Sequence, residues 1–344
     1  NRADLGGITL LGLLHPAADV IKLMTKEDVV PDGANRVMHL LSPLIAAVPA
    51  IIAFAVIPYG GVYQFGDTTI SLVGADIDWG LLYIFVIGSI AAYGTILAGW
   101  SSNNNWSMLG GLRASAQMIS YEVTMGLTVV GVFMVFQTLR LTDMALAQDT
   151  SFRLFGFLQL YFGLDAGLVG NWLIEHLRIP AWGIFYQPLG FLMFLTAIMA
   201  ENKRPPFDIP EGESEIIAGY HLEYSGMRFG LFFMSEFIEI IIIAALTATI
   251  FLGGWTFPWW STAEIINLIS PFMGVGFATG LCMLIHFSMF MLKVFFMIWV
   301  QMLLRWSLPR FRYDQVMSLC WKILLPLSIA NIFVTGLVLL LVNG

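Results

Sequence analysis

Charged residues are scarce in this chain. Asp, Glu, Lys and Arg make up 11% of its 344 residues, whereas 58% of the residues are hydrophobic. Soluble domains contain about 25% charged and roughly 45–50% apolar residues, so this chain has too few polar side chains to cover a water-soluble fold. The composition excludes a soluble globular protein and predicts that lipid surrounds most of the chain.

Cysteine is nearly absent, and the motifs of several enzyme classes are missing. The two cysteines, Cys282 and Cys320, lie in separate apolar stretches, which argues against an iron–sulfur cluster, a zinc site or a disulfide scaffold. Membrane haem needs facing pairs of His, yet only His286 falls in the middle of an apolar run. The sequence contains no GxGxxG, Walker A or nucleophile-elbow motif. Any redox centre or nucleotide is therefore expected on a partner protein.

Acidic residues outnumber basic ones by 23 to 16, which gives a formal net charge of −7. This balance offers no general attraction to nucleic acid, and we expect no such partner. The chain begins at Asn1 without the basic segment or cleavage site of a signal peptide.

Seven long apolar runs predict transmembrane helices, because about 20 apolar residues are needed to cross the hydrocarbon layer. We therefore predict an all-α polytopic membrane protein with a single domain over residues 1–344. The runs lie at about 39–58, 80–99, 113–136, 183–200, 229–253, 275–302 and 319–342.

The loops between these spans differ in basic residues. Twelve of the sixteen Lys and Arg fall on one side, called the basic side below, three fall on the opposite side, and Lys293 lies within a span. By the positive-inside rule, the basic side is the cytoplasm or matrix. Seven spans then place the start of the chain inside and its C-terminus outside.

Residues 8–28 predict an amphipathic helix rather than a span, because charged residues interrupt them. Such a helix lies in the membrane interface, where it either packs only on its own bundle or forms a lip over a lipid-side opening. Its apolar face consists of Leu10, Leu13, Leu14, Ala17, Ile21 and Met24, and its polar face of His15, Asp19, Lys22 and Lys26.

The loop 200–228 on the basic side is rich in acidic residues. Prolines bar a regular helix through its first half, and interleaved apolar residues favour a partly buried loop over a solvated one. Carboxylates held close together share protons, because repulsion and desolvation raise their pKa values. The acids are Glu201, Asp208, Glu211, Glu213, Glu215 and Glu223.

Further acids lie inside predicted spans. Glu122 and Glu236 each lie about a third of the way along an apolar run, and Glu239 follows Glu236 by one turn on the same face. An ionised acid in lipid costs about 2.5–3.5 kcal/mol or more, so these side chains should face the bundle interior. They are candidates for proton transfer; alternatively, they fix helix register through hydrogen bonds. Lys293 is either their counter-charge or a lysine that snorkels.

Four blocks of sequence resemble the family of the H-type membrane component of NADH:quinone oxidoreductase, respiratory complex I, which in mitochondria is component 1. The resemblance is collinear over nearly the whole chain. The blocks are SSNNNWSMLGGLRASAQMISYEVT at 101–124, AENKRPPFDIPEGESEIIAGYHLEYSG at 200–226, FGLFFMSEF at 229–237 and LPRFRYDQVMSLCWKILLPL at 308–327.

The resemblance implies a place where the membrane arm meets the peripheral arm. Family members wall the tunnel through which quinone, the substrate, enters from the bilayer. The resemblance implies that a peripheral-arm subunit reduces the quinone head with electrons from a terminal iron–sulfur subunit. FMN and the iron–sulfur clusters belong to such partners, and this chain has no redox centre. Small membrane subunits of the same complex are further expected partners. The family has eight spans, so a natural N-terminal piece with the first is expected to precede Asn1.

The resemblance, applied residue by residue, implies two groups of site residues, one for proton coupling and one for the quinone tunnel. In addition, Arg204 and Arg113 are candidates for balancing the acidic charges or for tethering the loop. The proton-coupling group is Glu122, Glu201, Asp208, Glu211, Glu213, Glu215 and Glu236, and the quinone-tunnel group is Leu14, Ala17, Ala18, Ile21, Arg204, Phe207 and Phe229.

The long stretch Leu141–Ala181 favours a bacterial inner membrane over a mitochondrial one. Three alternatives stay open at this point. The first is the homologous membrane subunit of an energy-converting hydrogenase or of a ferredoxin- or deazaflavin-linked complex. The second is a stand-alone carboxylate-dependent ion antiporter, against which the absence of an internal repeat counts. The third is a purely structural membrane anchor.

Overall fold

The chain folds into a helical bundle, as predicted. The computed structural model describes residues 4–5, 8–9, 14–65, 68–153, 178–209, 219–258 and 260–343. Within these ranges, six helices are long and apolar enough to cross a membrane. They are Arg36–Val56, which ends in a 3₁₀ turn, Gly80–Ser101, Asn105–Phe136, Gly226–Phe251, Val275–Ser307, and Tyr313–Leu341, which passes through a π-helical segment at Leu319–Leu324.

Shorter elements connect the spans. In the described part of the chain, three two-stranded antiparallel sheets pair Asp4–Leu5 with Ile8–Thr9, Val62–Phe65 with Thr68–Ser71, and Ser151–Arg153 with Arg178–Pro180. The short helices are His15–Thr25, Leu141–Ala147, Gly183–Tyr186, Pro188–Glu201 and Thr262–Met273.

Two predicted spans have the wrong boundaries. The third helix begins at Asn105 rather than at 113, because the Asn104 side chain accepts a hydrogen bond from the Trp106 amide at 3.0 Å and caps the helix there. The run predicted at 183–200 is broken at Gln187, because Pro188 cannot continue a helix but readily begins one. The fourth predicted span, 183–200, is therefore two short helices.

The amphipathic helix is shorter than the predicted range 8–28. It spans His15–Thr25, with Pro16 in its first turn, whereas residues 8–9 form a strand and residues 10–13 lie outside the described part of the chain. Its apolar side chains Ile21 and Met24 are 62% and 67% exposed, so the described bundle does not cover them. This arrangement fits a helix in the membrane interface.

Two contacts fix the chain after this helix to the start of Gly226–Phe251. The Ser225 hydroxyl donates to the Glu27 carbonyl at 3.1 Å and accepts from the Val29 amide at 2.9 Å. The Arg228 guanidinium lies 3.0 Å from the Asp28 carboxylate. The amphipathic helix is thereby tied to the bundle at its C-terminal end.

The spans pack side by side in the bundle. Arg36–Ala53 packs between Gly80–Ser101 and Gly226–Phe251, and Asn105–Phe136 contacts Gly80–Ser101 and Pro188–Glu201. Gly94 permits one close approach, because a Cβ there would lie 2.8 Å from the Ala46 nitrogen.

An aromatic layer closes the bundle interior toward the opposite side. The Phe251 ring lies 5.4 Å from that of Phe191 and 5.3 Å from that of Phe194, measured between centroids. Phe194, Phe251 and Phe290 are at most 1% exposed. The Phe191, Phe194 and Phe251 rings fill the space between the end of Gly226–Phe251 and the first turns of Pro188–Glu201.

An ion pair holds the linkers on the opposite side together. The Arg140 Nε donates to Asp76 Oδ1 at 2.9 Å, and the Thr142 hydroxyl donates to the same oxygen at 3.0 Å. The hydrogen bond from Arg140 holds the pKa of Asp76 below its ordinary value.

We expect Asp76→Asn to remove part of the pH dependence of stability. Because the folded pKa is lowered, ionised Asp76 stabilises the fold above its unfolded pKa of about 3.9, and this contribution is lost as the pH falls through the lowered folded value. Melting curves in detergent between about pH 3 and pH 7 should show a wild-type advantage at neutral pH that vanishes in acid. Asp78→Asn, whose side chain is 85% exposed, is the control. Equal acid slopes for Asp76→Asn and wild type contradict the assignment.

Candidate functional site

A small cavity lies inside the membrane part of the bundle, and three of its lining residues are acids. Glu122, Glu201 and Glu239 reach it from three different helices. Its volume is about 60 Å³, enough for a few water molecules, since one water needs about 10–15 Å³. The other lining residues include Pro49, Ala50, Ala53, Ile84, Phe85, Met125, Ile242 and Leu246. The cavity therefore surrounds three carboxyl groups with mainly apolar walls.

Ser89 connects Glu122 to the helix Gly80–Ser101. Its hydroxyl lies within hydrogen-bonding distance of Glu122 Oε1 and 3.0 Å from the Phe85 carbonyl. A hydroxyl carries one proton. When Ser89 donates to Phe85, the proton between Ser89 and Glu122 must come from the carboxyl group; when Glu122 is ionised, Ser89 donates to it.

Glu201 ends the helix Pro188–Glu201 and is 9% exposed. Its Oε2 is buried and has no hydrogen-bond partner among the described residues. Lys203, which is 3% exposed, follows in the left-handed conformation with φ 53°. It acts electrostatically on the carboxyl groups of both Glu201 and Glu239. The charge of one buried lysine therefore acts on two of the three acids.

Glu236 occupies a different environment from Glu239, although it lies one turn away on the same helix. Its Oε2 accepts a hydrogen bond from Arg204 at 3.1 Å, and its Oε1 accepts one from the Tyr220 hydroxyl at 3.0 Å. Arg204 and Glu236 are 8% and 3% exposed, and the guanidinium also covers the Phe237 ring at 5.0 Å. Both oxygens of this buried carboxylate are thus satisfied by the acidic loop.

The interpretation of Lys293 as a counter-charge for Glu122 or Glu236, or as a snorkelling lysine, is wrong. Its ammonium group donates to three carbonyls, those of Leu252 at 2.6 Å, Gly254 at 3.0 Å and Thr256 at 2.7 Å. The side chain is buried, and its ammonium lies over the Trp182 ring at 4.5 Å. These carbonyls belong to the C-cap and the turn that follow the helix Gly226–Phe251, where the helix supplies no donors for them.

The first part of the acidic loop is fixed by neutral side chains. The Gln117 amide donates to the carbonyls of Ala200 at 2.8 Å and Phe207 at 2.9 Å, and Asn202 donates to Gln301 at 2.8 Å. The Phe311 amide donates to the Pro206 carbonyl at 3.0 Å. The loop therefore starts in a defined position below the cavity.

The remaining predicted residues are spread along the basic side. Asp208 is 9% exposed, and its carbonyl accepts a hydrogen bond from Arg310. Phe207 is buried between the rings of Tyr121 and Phe311, and Phe229 packs against the His221 and Phe233 rings. Leu14 is half-buried, whereas Ala17, Ala18 and Ile21 are exposed on the amphipathic helix. Glu211, Glu213 and Glu215 lie outside the described residues.

The site residues predicted from the sequence omit Ser89 and Lys203, two groups that act on the cavity acids. The proton-coupling group that the resemblance implies includes Glu236 but not Glu239, which lines the cavity. A lone serine inside an apolar run, at the level of a membrane acid, is the signal that could have indicated Ser89. For Glu239, the signal is Arg204 in the adjacent loop. An arginine that pairs with Glu236 leaves Glu239 as the acid without a bound cation.

We expect Gly110→Ala to destabilise the site. A Cβ at Gly110 would lie 2.7 Å from the backbone of Gly219 and Tyr220, so the turn that carries the Tyr220 hydroxyl must move. Such overpacking costs about 1–3 kcal/mol. Thermal unfolding of the purified protein measures it. Gly126→Ala is the matched control on the same helix, because nothing lies within 4 Å of its added Cβ; equal melting temperatures of the two variants contradict the expectation.

Comparison with known proteins places this geometry in context. The sequence model of a family described as NADH dehydrogenase matches residues 5–336. The H-type component of the NADH-quinone oxidoreductase of Bdellovibrio bacteriovorus is 42% identical over 340 residues, covering 96% of this chain and 85% of that protein. The H-type components numbered 1 in Geobacter metallireducens and 2 in Geobacter sulfurreducens are each 44% identical, covering 96% of this chain and 84% of the relative.

Proposed function

Since the chain belongs to the NADH dehydrogenase family and is a membrane subunit of an NADH-quinone oxidoreductase, we propose that it forms the entry tunnel for quinone and carries the acidic passage that couples quinone reduction to proton pumping. The single observation that carries the proposed acidic passage is the cavity with its three carboxyl groups. The proposed quinone tunnel is supported by the amphipathic helix on the basic side.

The amphipathic helix supports a lipid-side entrance. Its exposed apolar side chains face away from the bundle, while Leu23 contacts the helix Gly226–Phe251 at Gly230. An apolar lip at the interface suits an isoprenoid tail, which must leave the bilayer without crossing polar headgroups. We propose that the tunnel is lined by Leu14, Ala17, Ala18 and Ile21 of this helix and by Arg204, Phe207 and Phe229 beyond it.

Glu122, Glu201 and Glu239 are the proton-holding groups in this proposal. Three ionised carboxylates cannot share a mainly apolar cavity, since desolvation and mutual repulsion favour the neutral acid. Fewer charges than acids are therefore present at any time, and the excess acids carry protons. Water in the cavity and the Ser89 hydroxyl link the acids within the reach of hydrogen bonds.

In this proposal, the acidic loop connects the three proton-holding acids to the quinone site. Asp208, Glu211, Glu213 and Glu215 follow Glu201 in the chain, and a change of charge at the quinone site would reach the cavity through them and Lys203. Glu236 serves as a fixed anion in this scheme, because both its oxygens are already bound. It holds Arg204, and with it the start of the loop, beneath the cavity.

The partners follow from the same proposal. A peripheral-arm quinone-site subunit and a terminal iron–sulfur subunit dock on the basic side, small membrane subunits lie beside the spans, and FMN and the iron–sulfur clusters belong to partners. Quinone is the substrate. The proposed location is the bacterial inner membrane, in which this multi-pass chain has its basic side toward the cytoplasm.

The experiment that tests this function is purification through a tag on this chain in mild detergent, with mass spectrometry and an inhibitor-sensitive NADH:quinone assay. Flavin and iron–sulfur subunits with NADH activity are expected. A nickel–iron hydrogenase partner without NADH activity would remove the quinone from the proposal while keeping the proton passage. Recovery of a lone polypeptide would contradict both the tunnel and the acidic passage.

A further inference from the structure

Lys293 is a buried cation to which the proposed function assigns no role. Its Nζ lies 2.6, 3.0 and 2.7 Å from the carbonyl oxygens of Leu252, Gly254 and Thr256. An ammonium group has a donor for each of three acceptors, whereas a neutral amine has only two donors and would turn its lone pair toward the third carbonyl. The Trp182 ring, 4.5 Å from Nζ, also favours a cation. The geometry therefore indicates that Lys293 carries its positive charge.

This charge lies just beyond the cavity, toward the opposite side. The cavity meets the helix Gly226–Phe251 at Ile242, Ile243 and Leu246. The first carbonyl that Lys293 binds belongs to Leu252, six residues after Leu246, and six residues of helix cover about 9 Å. A cation that approaches the cavity along this end of the helix therefore comes close to the ammonium group.

No carboxylate is paired with this ammonium group in the part of the chain that the structure describes. Asp149 acts on it only from a distance, because its own Oδ2 accepts a hydrogen bond from the Thr262 hydroxyl at 2.8 Å. Burial raises the pKa of Asp149, which reduces the negative charge that it can offer. The surroundings of Lys293 thus keep an excess of positive charge, although the side chain is only 5% exposed.

We propose that Lys293 is an electrostatic barrier that keeps protons and other cations of the opposite side from entering the cavity of the three acids. A fixed charge repels a like charge strongly where the dielectric constant is low, and positive groups exclude cations from membrane pores in this way. The three carbonyls hold the ammonium group in one place. The inference rests on the proposed function, in which Glu122, Glu201 and Glu239 hold protons.

The test measures passive proton entry into phosphatidylcholine vesicles that contain the intact purified complex, without NADH or quinone. Lys293→Met is expected to speed the decay of an imposed pH gradient about tenfold, the effect of removing a like charge about 10 Å away at an effective dielectric constant of about 20. Lys293→Gln is a second neutral variant, whose amide keeps two donors for the carbonyls. Lys293→Arg retains the charge and should match the wild type. Lys322→Gln is the matched control, because Lys322 is an exposed lysine of a membrane helix.

Charge selectivity separates a barrier from a gap in the packing. Loss of a positive charge should speed the entry of protons and K⁺ but not of chloride, whereas a gap admits ions of both signs. Equal acceleration of chloride, an Arg variant as permeable as Lys293→Met, or wild-type proton entry in Lys293→Met and Lys293→Gln overturns the proposal. The assay involves no turnover, so such a failure leaves the proposed function standing, and turnover of variants of the three acids tests that function separately.

Discussion

Replacing Glu201 by glutamine is expected to lower quinone-linked NADH oxidation at least about tenfold while the complex still assembles. Positioned acid–base groups contribute about 10²–10⁴-fold to reactions that depend on proton transfer, and Gln has the shape of Glu without an exchangeable acid proton. Glu201 is the acid to choose because its buried Oε2 has no partner among the described residues and is therefore free to bind water.

The measurement is turnover together with the number of protons moved per NADH in vesicles that contain the purified complex. Glu122→Gln is expected to act in the same direction, because it removes the carboxyl group next to Ser89. The matched control is Glu264→Gln, since Glu264 is an exposed acid of the capping box at Ser261, where Gln also functions. Wild-type turnover and proton yield in Glu201→Gln and Glu122→Gln would remove both acids from the mechanism.

Replacing Arg204 by methionine is expected to destabilise the chain by about 3–5 kcal/mol, because Glu236 is left as a buried charge without its partner. The pair is 3.1 Å apart and nearly buried on both sides. The Tyr220 hydroxyl can satisfy one oxygen but cannot neutralise the charge. The start of the acidic loop should loosen as well, since Arg204 holds it to the helix Gly226–Phe251.

A double-mutant cycle measures this coupling through thermal unfolding. Adding Glu236→Gln to Arg204→Met removes the unpaired charge and should restore most of the lost stability. Arg312→Met is the control, because the Arg312–Asp314 pair is exposed, and it should change stability far less. An Arg204→Met variant no less stable than Arg312→Met would show that the buried pair does not hold the loop.

The helical membrane architecture could be predicted because apolar runs of sufficient length have few alternatives in lipid. The ends of the helices were less predictable, since they depend on single local contacts. The cap at Asn104 lengthened one helix into the polar side, and Pro188 divided another. A hydropathy profile averages over a window about as long as one transmembrane helix, so it does not detect such single contacts.

The candidate site shows where sequence reasoning stops. Spacing placed Glu236 and Glu239 on one helical face. It could not decide which of them meets a cation, because Arg204 and Tyr220 come from the loop before this helix and not from the helix itself. Lys293 illustrates the same limit. Its partners are backbone carbonyls, which have no signature in the sequence, so the sequence favoured an oppositely charged side chain as its partner.

The aromatic layer has an electrical consequence. Along the helix Gly226–Phe251, the cavity ends at Leu246, and Phe251 with its neighbouring rings lies before the carbonyls that bind Lys293. Among the described residues, these apolar rings lie between the cavity and the carbonyls of the opposite side. Each elementary charge that crosses a membrane potential of 100 mV releases about 2.3 kcal/mol. Under the proposed function, an apolar layer at this place would limit the loss of that energy by leakage through the subunit. On the same proposal, a proton held by the three acids would leave sideways between the helices or return toward the basic side.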